Sequence, residues 1–423
     1  MERGLKNGIL FRFGDLNVLT SPSASSRPTL LGLPYRWEPI ADICLFVFFM
    51  TLGILRVFMF PVIAKNVVDD FSQTSYLGAI VVAWETIVLG VVQFYSSRSS
   101  GVYAAEAMFW IAVVGSAFVA FGGIYFMYGR QKAHSLDQVN GSWFLTFIPL
   151  IVCSTLGGAE APHLSYKNGV LVLFVSFLMW SLGVGMSFTL VPIYIWRLMS
   201  TPLPQQGVII STFVPIGPFG MGAYSTQQLA SELARRIAQH NYILTNQPQP
   251  PADSAYIATI GEAIQWAGII LALFQLAVAS FFLIEGVLAL CTKAPGPFNV
   301  AFWSFVFPCG VYANAWNLMS TNLRNEGLKG WAATCTVAVV LLWLFCALMS
   351  FWKGVWQGKL FFAPGLQGYL EKQEIQKRDV DPEQPSDQKR NPYGLAFHTT
   401  HTGEYLNRKA RSDGSYKKVK VDN

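Results

Sequence analysis

The segment GVIISTFVPIGPFGMGAYSTQQLA, residues Gly207 to Ala230, decides the fold class of this chain. It is apolar and long enough to cross a bilayer, which takes about 20 residues of helix. Five residues near its centre are poor helix formers: Pro215, Gly217, Pro218, Gly220 and Gly222. Each proline lacks an N–H and pushes away the carbonyl one turn back, while glycine permits torsions that other residues avoid. We therefore predict a membrane helix that is interrupted near its centre.

Backbone groups without helical partners are costly in hydrocarbon, at roughly several kcal/mol each. The interrupted segment must therefore be buried in protein or line a wet cavity. A structural kink packed against neighbouring helices satisfies this condition, and so does a translocation pathway of the kind that broken transporter helices form. The density of prolines and glycines in this one segment favours the pathway.

The composition of the whole chain is typical of a membrane protein. Hydrophobic residues make up 52% of the 423 residues and charged residues only 13%, which is too apolar for a soluble domain of this length. All six cysteines lie in or beside apolar runs, which argues against a secreted disulfide framework. The net charge of +6 is scattered, and no basic stripe with interleaved aromatic residues indicates nucleic-acid binding.

Nine apolar segments have the length of membrane spans, so we predict an all-α integral membrane protein. The spans are predicted at Ile40 to Phe60, Ser75 to Tyr95, Ala105 to Tyr128, Trp143 to Glu160, Val170 to Arg197, Gly207 to Ser231, Ile260 to Leu290, Phe298 to Ser320 and Leu328 to Trp356. They form a transmembrane domain over residues 34–364. The flanking residues 1–33 and 365–423 are polar and predicted to be disordered, the second of them in the cytosol.

The predicted spans are of two kinds, with the span at 170–197 as an intermediate case because Pro192 lies near its end and Gly183 and Gly185 within it suit helix–helix contact. Three carry interior breakers, namely Pro149, the cluster from Pro215 to Gly222, and Pro308. The spans at 105–128 and 328–356 contain no proline and are aliphatic or aromatic throughout. We therefore predict helical hairpins in two rings, with the interrupted helices inside around a cavity and the smooth helices outside against lipid.

Glu85 lies near the middle of an otherwise apolar span. A carboxylate at that depth is penalised by roughly 2.5 to 3.5 kcal/mol on insertion scales, so it should be protonated, paired or facing water. Two interpretations stay open: a proton-coupling or substrate-gating residue, and a carboxyl hydrogen-bonded to an adjacent helix. Four other glutamates are nearer span ends and are expected at the membrane interface: Glu106, Glu160, Glu262 and Glu285.

Catalytic, cofactor and metal motifs do not emerge from the sequence. It contains no His/Glu metal spacing on one helix, no GxSxG elbow and no phosphate-binding glycine loop, so neither an enzyme nor a bound cofactor or metal is predicted. The basic side chains lie almost wholly outside the spans. A passing anion would then be stabilised by backbone N–H dipoles and by hydroxyl groups, and such weak dipoles would also allow release. The candidate hydroxyl groups are Ser154, Thr155, Ser211 and Thr212.

An aromatic run, FNVAFWSFVF, precedes Pro308 on one of the predicted inner helices. Packing in lipid or between helices is the ordinary role of such rings. Phe307 comes immediately before the proline, so a ring that projects across the pore and acts as a hydrophobic gate is the alternative.

Three ordered blocks resemble the tellurite-resistance and dicarboxylate transporter family, which includes plant slow anion channels and fungal malate carriers. The blocks are Trp143 to Pro162, Ile193 to Tyr224 and Phe298 to Ala313. The run Arg197-Leu198, Leu203-Pro204 and P-x-G-P-x-G-x-G is most similar to the sulfite efflux pumps of fungi. The similarity extends over roughly Leu33 to Pro364.

The resemblance implies a homotrimer of ten-helix protomers in the plasma membrane, each with five inner helices around its own pore. It implies export of a small anion such as sulfite, with malate or another dicarboxylate as the alternative substrate. It also implies a phenylalanine that closes the pore, which by position is Phe307, with Phe305 close by. The family's first inner helix should precede Gly32 to Tyr35, yet residues 1–31 hold no segment of span length. Two other classes of protein are the alternatives. A membrane receptor would need a ligand-binding domain, and an intramembrane enzyme would need a nucleophile or a metal cluster.

Orientation is only weakly determined by the sequence. Lys and Arg residues are nearly balanced between the two sets of loops, and the basic approach to the tail favours a cytosolic carboxyl terminus. With nine spans the amino terminus is then outside. The same topology puts the glycosylation sequon at Asn140 inside the cell.

Overall fold

A computed structural model describes residues 37–59, 67–69, 71–96, 98–131, 134–204, 206, 209–240 and 254–356. All of them belong to one compact unit within residues 1–365. The predicted disordered segments, the segment before Gly32 and the proline-rich loop that follows His240 lie outside the described residues.

The described residues form helices and their connections, without a β-strand. We number the α-helices in chain order as α1 (Trp37–Met59), α2 (Phe71–Ser75), α3 (Leu77–Tyr95), α4 (Ser99–Gly129), α5 (Ile148–Glu160), α6 (Tyr166–Ser200), α7 (Ile216–His240), α8 (Ser254–Thr292), α9 (Val306–Leu323) and α10 (Glu326–Ser350). Short 3-10 helices occupy Leu136–Gln138, Gly141–Thr146, Ala161–His163, Ile209–Phe213 and Val300–Phe305, and a π-helical turn, Phe351–Trp356, follows α10.

Six helices in the described part of the chain are long and apolar enough to span a membrane: α1, α3, α4, α6, α8 and α10. They match six of the nine predicted spans. The other three predicted spans are the proline-bearing ones, and each consists of a 3-10 helix followed by α5, α7 or α9. The prediction of an all-α membrane protein is therefore confirmed.

Consecutive helices pair as hairpins, and one member of each hairpin is central. The hairpins are α3 with α4, α5 with α6, α7 with α8, and α9 with α10. The first members also pack on one another in series, from α3 through α5 and α7 to α9. Helix α5 is buried along its whole length, whereas α10 buries only Ala332 and Cys346. The inner and outer helices thus alternate along the chain, as the proline pattern predicts.

The outward faces of the outer helices are strongly apolar. Phe118 on α4, Phe174 on α6, Ile270 on α8 and Leu341 on α10 are each about 60% exposed or more. An apolar surface of this extent is unfavourable in water and suits contact with acyl chains. All six cysteines are free, and three of them are buried in the helix bundle.

The position of the predicted interruption needs correction. Helix α7 is continuous from Ile216 to His240, so Gly217, Pro218, Gly220 and Gly222 lie within a regular helix. Pro215 comes just before this helix and Pro218 lies in its first turn. The first-turn N–H groups of a helix have no partner within it, so a proline there removes no helical hydrogen bond. The interruption is the junction between the 3-10 helix Ile209–Phe213 and α7, and every residue from Thr212 to Gln227 is buried.

Candidate functional site

Two of the three spans with a breaker, those of α5 and α9, are built alike at their amino-terminal ends. The side chain of Asn140 accepts a hydrogen bond from Ser142 N at 2.9 Å, and that of Asn299 accepts one from Ala301 N at 2.8 Å. Each cap starts a 3-10 helix of six residues, Gly141–Thr146 and Val300–Phe305. Pro149 and Pro308 then fall in the first turns of α5 and α9, as Pro218 does in α7. The predicted breakers therefore mark the starts of three α-helices.

These three helix starts meet at Gly217. A methyl group added to Gly217 would lie 3.2 Å from Ile148 Cδ1, in the first turn of α5, and 3.6 Å from Phe307 Cε1, in the first turn of α9. An edge of the Phe307 ring therefore lies close to Gly217, and the Phe307 side chain is only partly buried. We refer to Ile148, Gly217 and Phe307 as the junction triad.

Phe305 occupies a different environment from Phe307. Its ring packs edge-on against Phe213 at a centroid distance of 4.7 Å and against Phe302 at 6.1 Å, and it is 8% exposed. It belongs to an aromatic contact between two 3-10 helices, Ile209–Phe213 and Val300–Phe305. Of the two predicted gate residues, only Phe307 contributes to the junction triad.

The remaining glycines of the cluster permit close helix packing. A methyl group on Gly220 would lie 3.0 Å from the backbone N of Tyr312 on α9, and one on Gly222 would lie 2.2 Å from Gln275 Oε1 on α8. Small residues that let helix backbones approach are typical of membrane helix interfaces. Gly220 and Gly222 thus hold α7 against an inner and an outer neighbour.

The four candidate hydroxyl groups are mostly occupied by contacts within the bundle. Ser154 Oγ lies 2.7 Å from Ile151 O and 2.6 Å from Ser225 Oγ, which links α5 to α7. Thr155 Oγ1 also donates to Ile151 O, at 3.2 Å, and Thr212 Oγ1 donates to Ile209 O at 2.8 Å. The Ser211 hydroxyl is buried without a hydrogen-bond partner. Their part in anion binding stays a prediction.

Glu85 is buried between α3 and the outer helix α4. It is 1% exposed, and its Oε1 lies 2.6 Å from Ser116 Oγ, which is also 2.6 Å from Ala112 O. A hydroxyl group has one proton to donate. The one hydroxyl proton of Ser116 is therefore shared between Glu85 Oε1 and Ala112 O. This geometry matches the interpretation of a carboxyl bonded to an adjacent helix, and its role in coupling stays a prediction.

The expectation that Glu160 is exposed at the membrane interface is wrong. Glu160 ends α5 and is 1% exposed, and neither of its carboxylate oxygens has a hydrogen-bond partner. Its burial follows from long-range packing, because the Arg236 side chain of α7 donates to Ala161 O directly beside it. The local sequence carries no signal for such a contact.

The comparisons with known proteins agree with this architecture. The sequence profile of the family described as SLAC1, voltage-dependent anion channel, matches residues 39–351. The chain is 25% identical over 340 residues to the sulfite efflux pump SSU1 of Arthroderma otae, covering 77% of this chain and 86% of that protein. It is 24% identical over 339 residues to an uncharacterized transporter, MJ0762, of Methanocaldococcus jannaschii, covering 76% and 85%.

A shorter match, 26% over 175 residues, joins 40% of this chain to 36% of the sulfite efflux pump SSU1 of Candida albicans. No solved structure matches the chain. The family match covers most of the chain, and it confirms the family resemblance that the three sequence blocks carry. This chain therefore belongs to the voltage-dependent anion channel (SLAC1) family, as a multi-pass membrane transporter of anions and not an enzyme.

Proposed function

We propose that this chain exports sulfite across the plasma membrane, along a pathway that passes the junction triad and is closed there by Phe307. The observation that carries the proposal is the meeting of three helix starts at Gly217, where the side chains of Ile148 and Phe307 both come close to the glycine. A helix amino terminus carries a partial positive charge, which attracts anions. Three such ends at one point would hold an anion without a fixed positive side chain.

Weak binding of this kind suits transport. A buried lysine or arginine would hold a small anion tightly, whereas backbone dipoles spread over α5, α7 and α9 allow it to leave. An aromatic ring across the path supplies an apolar barrier that an anion crosses only when the ring moves. The choice of sulfite is supported by relatives that are named sulfite efflux pumps.

The proposed oligomeric state, tail orientation and mode of export are those that the family resemblance implies or leaves open. The chain would assemble as a homotrimer, with a pathway in each protomer and the carboxyl-terminal tail in the cytosol. The anion would leave the cell either passively or with a proton.

Growth of a sulfite-sensitive yeast strain that lacks its own pump tests the substrate. Expression of this chain should restore growth on sulfite, and intracellular sulfite should fall. Failure to restore growth, with the protein shown at the cell surface, would contradict sulfite export. Uptake of labelled malate by the same cells would then identify a dicarboxylate carrier.

A further inference from the structure

A cavity with mixed polar and apolar walls lies away from the junction triad, between the carboxyl-terminal ends of α6 and α8 and the 3-10 helix Ile209–Phe213. Its volume is about 170 Å³, whereas a single buried water needs roughly 10–15 Å³. Tyr194 and Leu198 line it from α6, Glu285 and Leu288 line it from α8, and Thr212 closes the inner side. None of the junction triad lines it, so it is separate from the proposed pathway.

Two residues of α6, Tyr194 in the cavity wall and Arg197 outside the lining, hold buried hydrogen-bond donors without a partner in the described part of the chain. The Tyr194 hydroxyl belongs to a residue that is 1% exposed, and no group in the described part of the chain bonds to it. Arg197, one turn further along α6, is 4% exposed, and its Nε and Nη1 are also without partners. Buried donors left unpaired are costly, and a buried guanidinium much more so. Two of them within one helical turn indicate a missing acceptor.

The opposite wall of the cavity carries the carboxyl group of Glu285. Both Arg197 and Glu285 act electrostatically on the Tyr194 phenol, so the three groups are near one another. Among the described residues, however, no ion pair joins Arg197 to Glu285. A ligand that joins them needs oxygen acceptors for Tyr194 and Arg197 and a proton or an ammonium group for Glu285.

The surroundings of the cavity limit the source of such a ligand. Leu288 is 52% exposed on the outer face of α8, so the rim of the cavity reaches the surface that faces lipid. Leu198 and Leu203 add apolar walls. A phosphate headgroup can enter from this side, and a free oxyanion can enter from the nearby aqueous side.

We propose that this cavity is a second anion site, which binds an oxyanion group through Tyr194 and Arg197, while Glu285 selects a group that also bears a proton or an ammonium. Two ligands have this combination of an oxyanion with a proton or an ammonium group. One is a free hydrogen phosphate ion, and the other is the phosphoethanolamine headgroup of a lipid.

Thermal unfolding of the purified full chain in detergent, followed by tryptophan fluorescence, tests the proposal. The probes are sodium phosphate, sodium chloride at equal ionic strength, and short-chain phosphatidylethanolamine beside phosphatidylcholine. We expect a saturable rise in Tm with phosphate or with phosphatidylethanolamine, and none with chloride. A rise with phosphate identifies a free oxyanion as a sufficient ligand, and a rise with phosphatidylethanolamine alone identifies the headgroup.

Tyr194→Phe is the informative variant, because it removes only the unpaired hydroxyl. Its Tm without ligand should equal or exceed that of the wild type, while its apparent Kd for the ligand should rise roughly tenfold, as expected for one hydrogen bond to a charged group. Tyr312→Phe is the matched control, since the Tyr312 hydroxyl lies 2.8 Å from Ser280 Oγ. It should lower Tm and leave the apparent Kd unchanged.

Two results would overturn the proposal. One is that no probe raises Tm above the chloride reference. The other is that the rise persists with the same apparent Kd in both Tyr194→Phe and Arg197→Gln. Binding is measured without transport, so either result would leave the proposal of sulfite export untouched.

Discussion

At the scale of single residues, the position of a residue in the sequence does not determine which groups its side chain contacts or how deeply it is buried. Phe305 and Phe307 are two apart in one aromatic run, and the run itself does not tell which ring faces the helix junction. The 3-10 helix ends between them, at Phe305, and turns the two rings toward different partners. Glu160 shows the same limit, because its burial is caused by residues distant in the sequence.

Glu85 offers a prediction at this scale. Its carboxyl is buried and lies 2.6 Å from Ser116 Oγ on the adjacent helix. A glutamine at this position would present an amide N–H₂ to the same hydroxyl and keep the hydrogen bond. We therefore expect Glu85→Gln to leave both Tm and the rate of sulfite efflux unchanged, as measured on purified protein and in cells. Loss of efflux with an unchanged Tm would instead make Glu85 a coupling residue.

At the scale of helices, the sequence identifies which segments are unusual but not where they bend. The breakers in three apolar spans mark α5, α7 and α9 as inner helices, whereas the inner helix α3 has no proline and the outer helix α6 contains Pro192. The helix starts, however, depend on capping and on the preceding 3-10 turns. One signal was available: Asn140 and Asn299 each stand nine residues ahead of a proline, at 149 − 140 and 308 − 299. Asparagine is a favoured helix cap. This spacing therefore predicts that a helical segment starts after the asparagine and that the proline lies in the first turn of the α-helix that follows.

Helix packing around Gly220 gives a second prediction. A methyl group there would lie 3.0 Å from Tyr312 N and 3.2 Å from Tyr312 Cα, and backbone atoms cannot move aside singly. We expect Gly220→Ala to separate α7 from α9 and to destabilise the protein by roughly 1–3 kcal/mol, as overpacking does. Gly185→Ala is the matched control, because no atom lies within 4 Å of the added methyl group. It should be neutral or stabilising by up to about 1 kcal/mol from helix propensity, and equal Tm values for the two variants would refute the packing argument.

A buried ion pair near the end of α7 gives a third prediction. Arg236 Nε donates to Glu232 Oε1 at 2.8 Å, and the same guanidinium donates to Tyr166 O and Ala161 O, so it joins α7 to the end of α5 and the start of α6. Arg236→Met removes these hydrogen bonds from a charged donor, each of which contributes about 1.5–3 kcal/mol, although Arg235 still pairs with Glu232. Arg236→Met should therefore lower Tm sharply.

The control for this variant uses the same glutamate. Arg235 also pairs with Glu232, but its side chain is 38% exposed. An exposed pair contributes about 0–1 kcal/mol, so Arg235→Met should change Tm little. A similar loss in both variants would show that the buried contacts to α5 and α6 do not matter.

At the scale of the whole molecule, composition and the lengths of the apolar segments are sufficient to predict a membrane protein with two kinds of helix. The contacts that assemble the inner helices are not visible at this level, since α3, α5, α7 and α9 are separated by their outer partners in the sequence. Convergence at Gly217 therefore emerges only from the folded structure.

Topology gives a fourth prediction. Six helices, α5 to α10, lie between Asn140 and Phe351, so these two positions are on the same side of the membrane. With the tail in the cytosol, Asn140 cannot be glycosylated. A tag after residue 356 should be accessible only in permeabilised cells, and glycosidase treatment should leave the mobility of the protein unchanged. A glycan on Asn140 would reverse the orientation.

The central claim is that anions pass the junction triad and that the Phe307 ring blocks them. Release of sulfite from proteoliposomes, at matched protein content, tests it most directly with the wild type, Phe307→Ala and Phe305→Ala. Loss of the Phe307 ring should raise the rate of sulfite release several-fold, whereas Phe305→Ala, which empties an aromatic contact elsewhere, should not raise it. An unchanged rate in folded Phe307→Ala, or an equal rise in Phe305→Ala, would contradict the account.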